Sequence, residues 1–426
     1  MAQYIIEGGN KLEGVINASG SKNASLPIIA ASILSGKTTT LYNVPNIQDI
    51  KITLEILRLL GCNVVRKNGK IIIDSNSINK TEIPRDLMHK LRSSVILAGA
   101  IIGRFKKAVF SYPGGCDIGS RPIDLHIKAL KKLGINIEED SGYIICKSDK
   151  IIGTDIDLDF PSVGVTENIM LAAVLAEGET VVTNAAMEPE IVDLQNFLNR
   201  TGAKISGAGT NIIKIIGVKK LKTTSYKIMP DRIEAGTYAL IGAAVGDKLK
   251  IRNIVIEHIQ SLLDIFDVLE VNYRIEKNNL IVSKSKIKKG IVILTSPYPG
   301  FPTDLQQPLT TFLSVNKGTS VIIESIYDNR FAHIKELNRM GANIQTSNMN
   351  IIIHGVEELN GTVVSGKDLR GAASLVLAGL MAKGETIVSG LEYINRGYEN
   401  MIKKLRKLHA KIELSLLNIE ENEDEK

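Results

Sequence analysis

The segment Leu60-Gly-Cys-Asn-Val-Val65 is one of six similar segments that set the architecture of the chain. Its counterparts are Leu133-Gly-Ile-Asn-Ile-Glu138, Thr201-Gly-Ala-Lys-Ile-Ser206, Leu269-Glu-Val-Asn-Tyr-Arg274, Met340-Gly-Ala-Asn-Ile-Gln345 and Leu408-His-Ala-Lys-Ile-Glu413. They recur about every 70 residues, which indicates six copies of one structural unit. Each copy follows an amphipathic helical pattern, such as residues 49–60, and leads into a predicted β-hairpin.

Each unit also contains a second predicted helix that is apolar and rich in Ala and Gly. These helices cover residues 21–30, 92–101, 162–177, 232–246, 304–315 and 370–382. A helix without a polar face must be buried on all sides, and small residues let helices approach closely. We therefore predict an α/β fold of two inside-out barrel domains, each with three units around buried helices. A long solenoid is the alternative, although its usual repeats of about 20 to 50 residues are shorter.

Composition limits the possible functions. The 426 residues suit two domains of about 200 residues each, and 44% hydrophobic with 23% charged residues is typical of a globular protein. The absence of Trp and an aromatic content of 4% argue against nucleic-acid binding by base stacking. The net charge of +6 includes an acidic end, residues 419–426, which we expect to be disordered. The rest is more basic, which favours an anionic ligand.

The predicted location is the cytoplasm, without membrane insertion, because no secretory pattern or apolar run of about 18 residues is present. Cysteines at positions 62, 116 and 146 match neither a disulfide framework nor a zinc spacing, so we expect reduced thiols and no metal. Cys62 and Cys146 have the pattern of small buried hydrophobic residues.

Cys116 differs from the other two thiols because of the segment around it. Tyr112-Pro-Gly-Gly-Cys-Asp-Ile-Gly-Ser-Arg-Pro-Ile-Asp124 holds three glycines and two prolines about this thiol. Glycine permits unusual backbone angles and proline stiffens the ends, so the pattern predicts a lid that carries a reactive group.

Polar residues stand at the starts of the apolar helices, including Lys22 with Asn23, Arg92, Ser162, Arg232, Asp304, and Asp368 with Arg370. Helix N-termini attract anions through free N–H groups and the helix dipole. We expect a cleft between the two domains, lined by Lys22, Arg92, Arg121, Arg330, Arg370 and Arg396. Structural capping is the alternative for Arg232.

The chain resembles the enolpyruvyl transferase family over nearly its whole length. The resemblance is carried by Ser19-Gly-Ser-Lys-Asn23, Pro113-Gly-Gly-Cys116, Pro230-Asp-Arg-Ile-Glu234, Phe301-Pro-Thr-Asp304, Asn329-Arg-Phe-Ala-His333 and Asp368-Leu-Arg370. It implies two inside-out α/β barrels, with residues 22–230 as one domain and residues 1–21 plus 231–418 as the other.

The resemblance implies transfer of the enolpyruvyl group of phosphoenolpyruvate to the 3-hydroxyl of UDP-N-acetylglucosamine, the first committed step toward peptidoglycan, without a cofactor. Asp304 would be the general base, and Cys116 would donate a proton or form a covalent adduct, with Lys22 and Arg396 assisting catalysis. Phosphoenolpyruvate would contact Lys22, Asn23, Arg121, Arg370 and Arg396. The UDP-sugar would contact Asn23, Arg92, Arg121, Pro122, Ile123, Asp124, Leu125, Ser162, Val163, Gly164, Asp304 and Ile326.

Phe160 and Pro161 depart from the pattern, because some family members carry a lysine just before Ser-Val-Gly. Two other functions stay open. A 5-enolpyruvylshikimate-3-phosphate synthase would share the fold without the thiol loop, and a silent paralogue would bind the UDP-sugar without turnover. We interpret His126 and His333 as structural, and Glu188, Glu190, Asp193 and Asp231 as members of structural ion pairs.

Overall fold

The computed structural model describes residues 2–112, 114 and 123–416, with the backbone alone at Arg92. The strands are β1 (Ala2–Glu7), β2 (Val15–Asn17), β3 (Thr38–Tyr42), β4 (Asn63–Lys67), β5 (Lys70–Asp74), β6 (Lys107–Ser111), β7 (Asn136–Asp140), β8 (Tyr143–Lys147), β9 (Asp155–Asp157), β10 (Glu179–Thr183), β11 (Lys204–Ser206), β12 (Ile212–Ile216), β13 (Thr224–Lys227), β14 (Leu249–Arg252), β15 (Tyr273–Glu276), β16 (Asn279–Val282), β17 (Val292–Leu294), β18 (Thr319–Ile323), β19 (Asn343–Ser347), β20 (Asn350–His354), β21 (Val363–Ser365), β22 (Glu385–Ser389) and β23 (Lys411–Leu416).

The α-helices are α1 (Lys22–Ala31), α2 (Gln48–Leu59), α3 (Arg85–Lys90), α4 (Val95–Phe105), α5 (Asp124–Lys132), α6 (Val163–Ala173), α7 (Pro189–Arg200), α8 (Arg232–Val245), α9 (Gln260–Val268), α10 (Thr303–Leu313), α11 (Ala332–Arg339), α12 (Leu369–Met381), α13 (Leu391–Ile394) and α14 (Met401–Lys407). Short 3-10 turns cover Arg92–Ser94 and Ile256–Ile259.

The helices α1, α4, α6, α8, α10 and α12 are buried along nearly their whole length, which confirms the predicted fold class. Small residues make this packing possible. A Cβ atom on Gly99 of α4 would lie 2.4 Å from Oδ1 of Asn168 on α6, so only glycine permits the approach of these two helices. Helix α10 departs from the expected apolar surface, because it buries Gln306, Gln307 and two threonines.

The outer helices bury one face each. In α2, Ile50, Leu54 and Leu57 are buried whereas Lys51 and Glu55 are exposed. The residue after each of these helices turns the chain with a positive φ: Gly61, Gly134, Gly202 and Gly341 in four units, and Glu270 and His409 in the other two. Each unit therefore ends its outer helix in the same way, and glycine is the usual residue for that turn.

Six sheets surround the buried helices in the described residues, and distant strands close each half of the chain. In the first half, β13 pairs in parallel with β3, so the last strand returns to the first unit. In the second half, β1 pairs with β22 and β23, and β2 pairs with β14. The N-terminal segment thus supplies strands to sheets whose other strands lie more than 200 residues later.

The buried apolar residues form two separate clusters. One cluster covers residues 24–229, and the other combines residues 4–18 with residues 233–412. The chain passes twice between them, and the two crossings run side by side. Ser21 N–H donates to the carbonyl of Met229 at 2.8 Å, and Asp231 N–H donates to that of Ser19 at 2.8 Å. The two crossings are therefore hydrogen-bonded to each other and connect the halves at one place.

Candidate active site

A cavity of about 540 Å³ lies between the two halves, with walls from both. It collects Arg330, which was expected in the cleft lining, and ten residues predicted to bind substrate or to act in catalysis: Lys22, Asn23, Leu125, Ser162, Val163, Gly164, Asp304, Ile326, Arg370 and Arg396. Most of them precede or begin a buried helix. The repeated units therefore direct equivalent helix starts into one space.

The other nominated residues are placed differently. Ile123 is buried and Asp124 is exposed at the start of α5, and neither lines the cavity. Cys116, Arg121 and Pro122 lie outside the described residues, as does the side chain of Arg92.

Asp49 joins two cations at one end of the cavity. Its Oδ2 lies 2.7 Å from Nζ of Lys22, and its Oδ1 accepts from Nε of Arg396 at 2.9 Å. Burial alone would raise the pKa of Asp49, but the charges of Lys22 and Arg396 outweigh burial and hold this pKa below its ordinary value. Because Arg396 comes from the second half, Asp49 makes an ionic contact across the boundary. We call Lys22, Asp49 and Arg396 the Asp49 group.

Asp304 has the same arrangement on the opposite wall. Arg330 Nη2 lies 2.7 Å from Oδ1, and Arg370 Nη2 lies 2.9 Å from Oδ2. Burial would raise the pKa of Asp304, but Arg370 and Arg330 outweigh it and hold the pKa well below the usual range, so the carboxylate is ionised. The guanidinium of Arg370 lies 5.2 Å from the ring centre of Tyr398, a distance at which the ring attracts the positive charge. We call Arg330, Asp304 and Arg370 the Asp304 group.

The helix starts at the cavity differ in how their N–H groups are satisfied. Side chains of Ser21, Asp231 and Asp368 cap α1, α8 and α12. Helices α6 and α10 have no side-chain cap, and residues of both first turns line the cavity. Uncapped N–H groups with the positive end of the helix dipole form a natural contact for an anion.

An acid-rich wall lies beside the crossings. Arg232 Nε bonds to Glu190 Oε1 at 3.0 Å across the halves, and Glu188 accepts the N–H of Tyr298 at 3.3 Å. Burial raises the pKa of Glu167 well above its ordinary value, and the neighbouring acids Glu190 and Glu188 raise it further.

Of the four acids expected in ion pairs, Glu190 forms one. Asp231 instead accepts the N–H groups of Ile233 and Glu234 as the cap of α8. Asp193 accepts from Tyr226 Oη at 2.6 Å and from a backbone N–H, and burial raises its pKa to about 6.

His126 lines the cavity, whereas His333, Cys62 and Cys146 are buried outside its lining. His126 Nδ1 lies 2.8 Å from Asn168 Nδ2, and His333 is buried beside Gln307. Cys62 and Cys146 are buried free thiols, and burial raises the pKa of each to about 12. Thiolate is therefore scarce at both positions, which agrees with the inert role expected of them.

Sequence reasoning missed Asp49 and treated Arg330 only as part of the cleft lining. Asp49 stands in the first turn of an amphipathic helix, where an acid is expected for helix stability alone. The available signal was its position. It lies near the start of an outer helix, as do Arg330 and Arg396 in other units.

Two absences apply to the described part of the chain. It holds no group of three or more His, Cys, Asp or Glu side chains arranged to bind a metal ion. Within it, every helix is too short or too polar to cross a bilayer.

Comparison with known proteins assigns the class. The sequence profile of the family described as EPSP synthase (3-phosphoshikimate 1-carboxyvinyltransferase) matches residues 6–405. The chain belongs to this family. The solved enolpyruvyl transferase NikO from Streptomyces tendae superposes with a TM-score of 0.89 at 21% identity, covering 98% of this chain and 99% of that chain. EPSP synthase from Acinetobacter baumannii gives 0.74 at 21% identity, covering 98% and 100%. These two structures support the fold.

Curated relatives within the class carry a more particular name. UDP-N-acetylglucosamine 1-carboxyvinyltransferase 2 of Caldanaerobacter subterraneus is 48% identical over 97% of this chain and 99% of its own length. UDP-N-acetylglucosamine 1-carboxyvinyltransferase of Clostridium botulinum is 48% identical over 97% and 99%. UDP-N-acetylglucosamine 1-carboxyvinyltransferase 2 of Bacillus subtilis is 46% identical over 97% and 96%.

Proposed function

We propose that the chain transfers the enolpyruvyl group of phosphoenolpyruvate to the 3-hydroxyl of UDP-N-acetylglucosamine and releases phosphate, in the first step of peptidoglycan synthesis. The observation that carries this proposal is 45–48% identity, over nearly the full length, to relatives named for that acceptor. The cavity agrees with it, because two cation-rich groups face a space large enough for a nucleotide sugar.

Phosphoenolpyruvate is assigned to the end that holds the Asp49 group. Lys22 and Arg396 bring two positive charges to one carboxylate, so they keep capacity for a further anion. Arg370 adds a third positive charge from the other wall. Arg121 joins them by sequence resemblance. Cations aimed at the phosphate stabilise it as it leaves.

The UDP-sugar is assigned to the start of α6. The N–H groups of its first turn, at Val163 and Gly164, suit the diphosphate. Leu125 and Phe160 give this end of the cavity an apolar wall, and Phe160 stands where some relatives carry a lysine. Asn23 and Ile326 line the path toward Asp304, where the sugar hydroxyl would lie.

Asp304 is the proposed acceptor of the hydroxyl proton as the oxygen attacks the central carbon of phosphoenolpyruvate. Its two arginines make it a weak base in the ligand-free protein. A bound anion near Arg370 would draw positive charge away from Asp304 and strengthen it as a base. The methylene carbon takes a proton, for which Cys116 is the candidate donor. The addition gives a tetrahedral ketal with a methyl group. This methyl group then loses a proton, and the carbon–oxygen bond to phosphate breaks with its electron pair on phosphate.

We further propose that residues 22–230 and residues 1–21 plus 231–418 act as two domains that close over the substrates. The separate buried clusters and the adjacent crossings support this division. Closure would exclude water from the cation-rich space, where fixed charges then act more strongly. Both substrates are small cytoplasmic metabolites, so we place the protein in the cytoplasm.

Phosphate release from phosphoenolpyruvate tests the proposal with three acceptors: none, UDP-N-acetylglucosamine and shikimate 3-phosphate. We expect release only with the UDP-sugar, together with an enolpyruvyl ether of it. Release with shikimate 3-phosphate would favour the EPSP synthase reaction. Equal release without any acceptor would indicate a phosphatase, and binding without release would indicate a silent paralogue.

A further inference from the structure

Gln307 is a fully buried amide one helical turn below Asp304. Both residues lie on α10, and Gln307 has an exposed fraction of 0%. Its Nε2 lies 2.9 Å from Oδ2 of Asp368. A carboxylate can only accept, so the amide NH₂ must face Asp368. The orientation of Gln307 is thereby fixed.

Asp368 connects this amide to Arg370. Its Oδ1 accepts the backbone N–H groups of Arg370 at 3.0 Å and of Gly371 at 2.9 Å, which caps α12. Gln307 therefore ties α10, which carries Asp304, to the first turn of α12, which carries Arg370. The 2.9 Å contact between Arg370 and Asp304 is one link between these helices, and the Gln307–Asp368 bond is a second link beneath it.

The chain segment that follows Arg330 reaches the same point. His333 lies on α11 three residues after Arg330, and its Nδ1 is 3.4 Å from Nε2 of Gln307. Burial lowers the pKa of His333 to about 4, so the ring is neutral and can accept. His333, Gln307 and Asp368 thus contact one another beside the Asp304 group, and each lies two or three residues along the chain from one member of that group.

We propose that Gln307 is a positioning residue that holds Arg370 against Asp304 for the reaction. The proposal rests on the proposed function and extends it to a residue outside the cavity lining. A buried amide is costly to desolvate unless it is hydrogen-bonded, so a purely space-filling side chain here would be apolar. Gln307 instead donates from Nε2 to the carboxylate that holds the backbone of Arg370, and its Oε1 is buried without a hydrogen-bond partner among the described residues.

The test compares Gln307→Met with Gln306→Met. Gln306 is a matched control, because it is equally buried on the same helix but, among the described residues, its side-chain amide bonds to Thr310 of its own helix, at 3.1 Å. We expect kcat to fall about 10- to 100-fold in Gln307→Met, since a shift of about 1 Å in a catalytic group costs that much. Gln306→Met should keep kcat within about 3-fold of the wild-type value. Its change in thermal midpoint should be similar to that of Gln307→Met, because both variants replace an equally buried amide.

Gln307→Glu adds a readout that a space-filling role would not change. Asp368 and His333 face this position, with Arg330 beyond them. Burial and the charge of Asp368 should raise the pKa of the introduced carboxyl, and only its protonated form can donate to Asp368. The ratio of variant to wild-type kcat should therefore be highest at low pH and fall as pH rises.

Equal kcat values for the two Met variants, or a pH-independent ratio for Gln307→Glu, would overturn the proposal. Failure of the proposed function is separate, because wild-type protein would then release no phosphate with the UDP-sugar. In that case crystal structures of wild type and Gln307→Met decide. We expect the Arg370–Asp304 contact to be lost in the variant, and an unchanged contact would refute the positioning role.

Discussion

The Asp49 group and the Asp304 group contain the same charges but differ in exposure and connection. Each has one carboxylate between two cations, yet the side chain of Asp49 is 1% exposed and that of Asp304 is 24% exposed. Asp49 links the two halves of the chain, whereas the Asp304 group lies within the second half. The same charges thus hold a buried carboxylate between two cations in one group and leave a carboxylate partly exposed to the cavity in the other.

Asp304→Ala should have the largest effect, because it removes the proposed general base. We expect kcat to fall about 100- to 10,000-fold, the usual contribution of a general base. Steady-state phosphate release measures it, with Asp304→Asn as a variant that keeps the shape. Full turnover in either variant would remove Asp304 from the mechanism.

Asp49→Asn should weaken the contacts within the Asp49 group and lower kcat less than Asp304→Ala does. Lys22 and Arg396 would lose their shared partner and repel, which we expect to lower the free energy of unfolding by about 1–3 kcal/mol. The phosphate of phosphoenolpyruvate can replace the lost negative charge. Its binding should therefore raise the thermal midpoint of Asp49→Asn more than that of wild type. An equal rise in both proteins would show that Asp49 and the ligand do not share these cations.

The stabilising effect of Asp49 should depend on pH with a defined sign. Its pKa in the folded protein lies below the ordinary value of 3.8, so folding favours the charged form. The contribution is complete above that ordinary value and is lost as pH falls through the lowered pKa. The stability difference between wild type and Asp49→Asn should thus be constant from pH 5 to 7 and shrink only below about pH 4. A difference that grows on acidification would contradict the ion-pair account.

Phe160→Lys should have the smallest effect and concerns the UDP-sugar alone. A lysine at this exposed edge of the cavity adds a charge near the expected diphosphate, which we expect to lower the KM for the UDP-sugar about 2- to 5-fold. The KM for phosphoenolpyruvate should not change. The gain should fade with added salt, and a gain that resists salt would point to a contact other than charge.

The repeated fold could be predicted because its signals are local. Apolar helices rich in Ala and Gly, and outer helices that end at a glycine such as Gly61, follow from helix periodicity and backbone sterics. The inner helix α10 was harder, because Gln306 and Gln307 are polar yet buried. Gln306 bonds to Thr310 on the same helix, but Asp368, the partner of Gln307, lies 61 residues away, and no local pattern reports that contact.

The cavity residues could be nominated from position and resemblance, but their pairing could not. Asp49 and Arg396 lie 347 residues apart and meet only when the two halves fold against each other. Arg370 and Asp304 lie 66 residues apart within the second half, and their contact converts a candidate base into a carboxylate with a strongly lowered pKa. Charge coupling of this kind depends on distances that a sequence does not contain.

Turnover in D₂O tests the central claim most directly. Addition followed by elimination requires the methylene carbon of phosphoenolpyruvate to gain and then lose a proton, so solvent deuterium should enter the product. We expect mass spectrometry to show an enolpyruvyl ether of UDP-N-acetylglucosamine that carries deuterium, in amounts equal to the released phosphate. Phosphate without the ether, or an ether free of deuterium, would contradict the account.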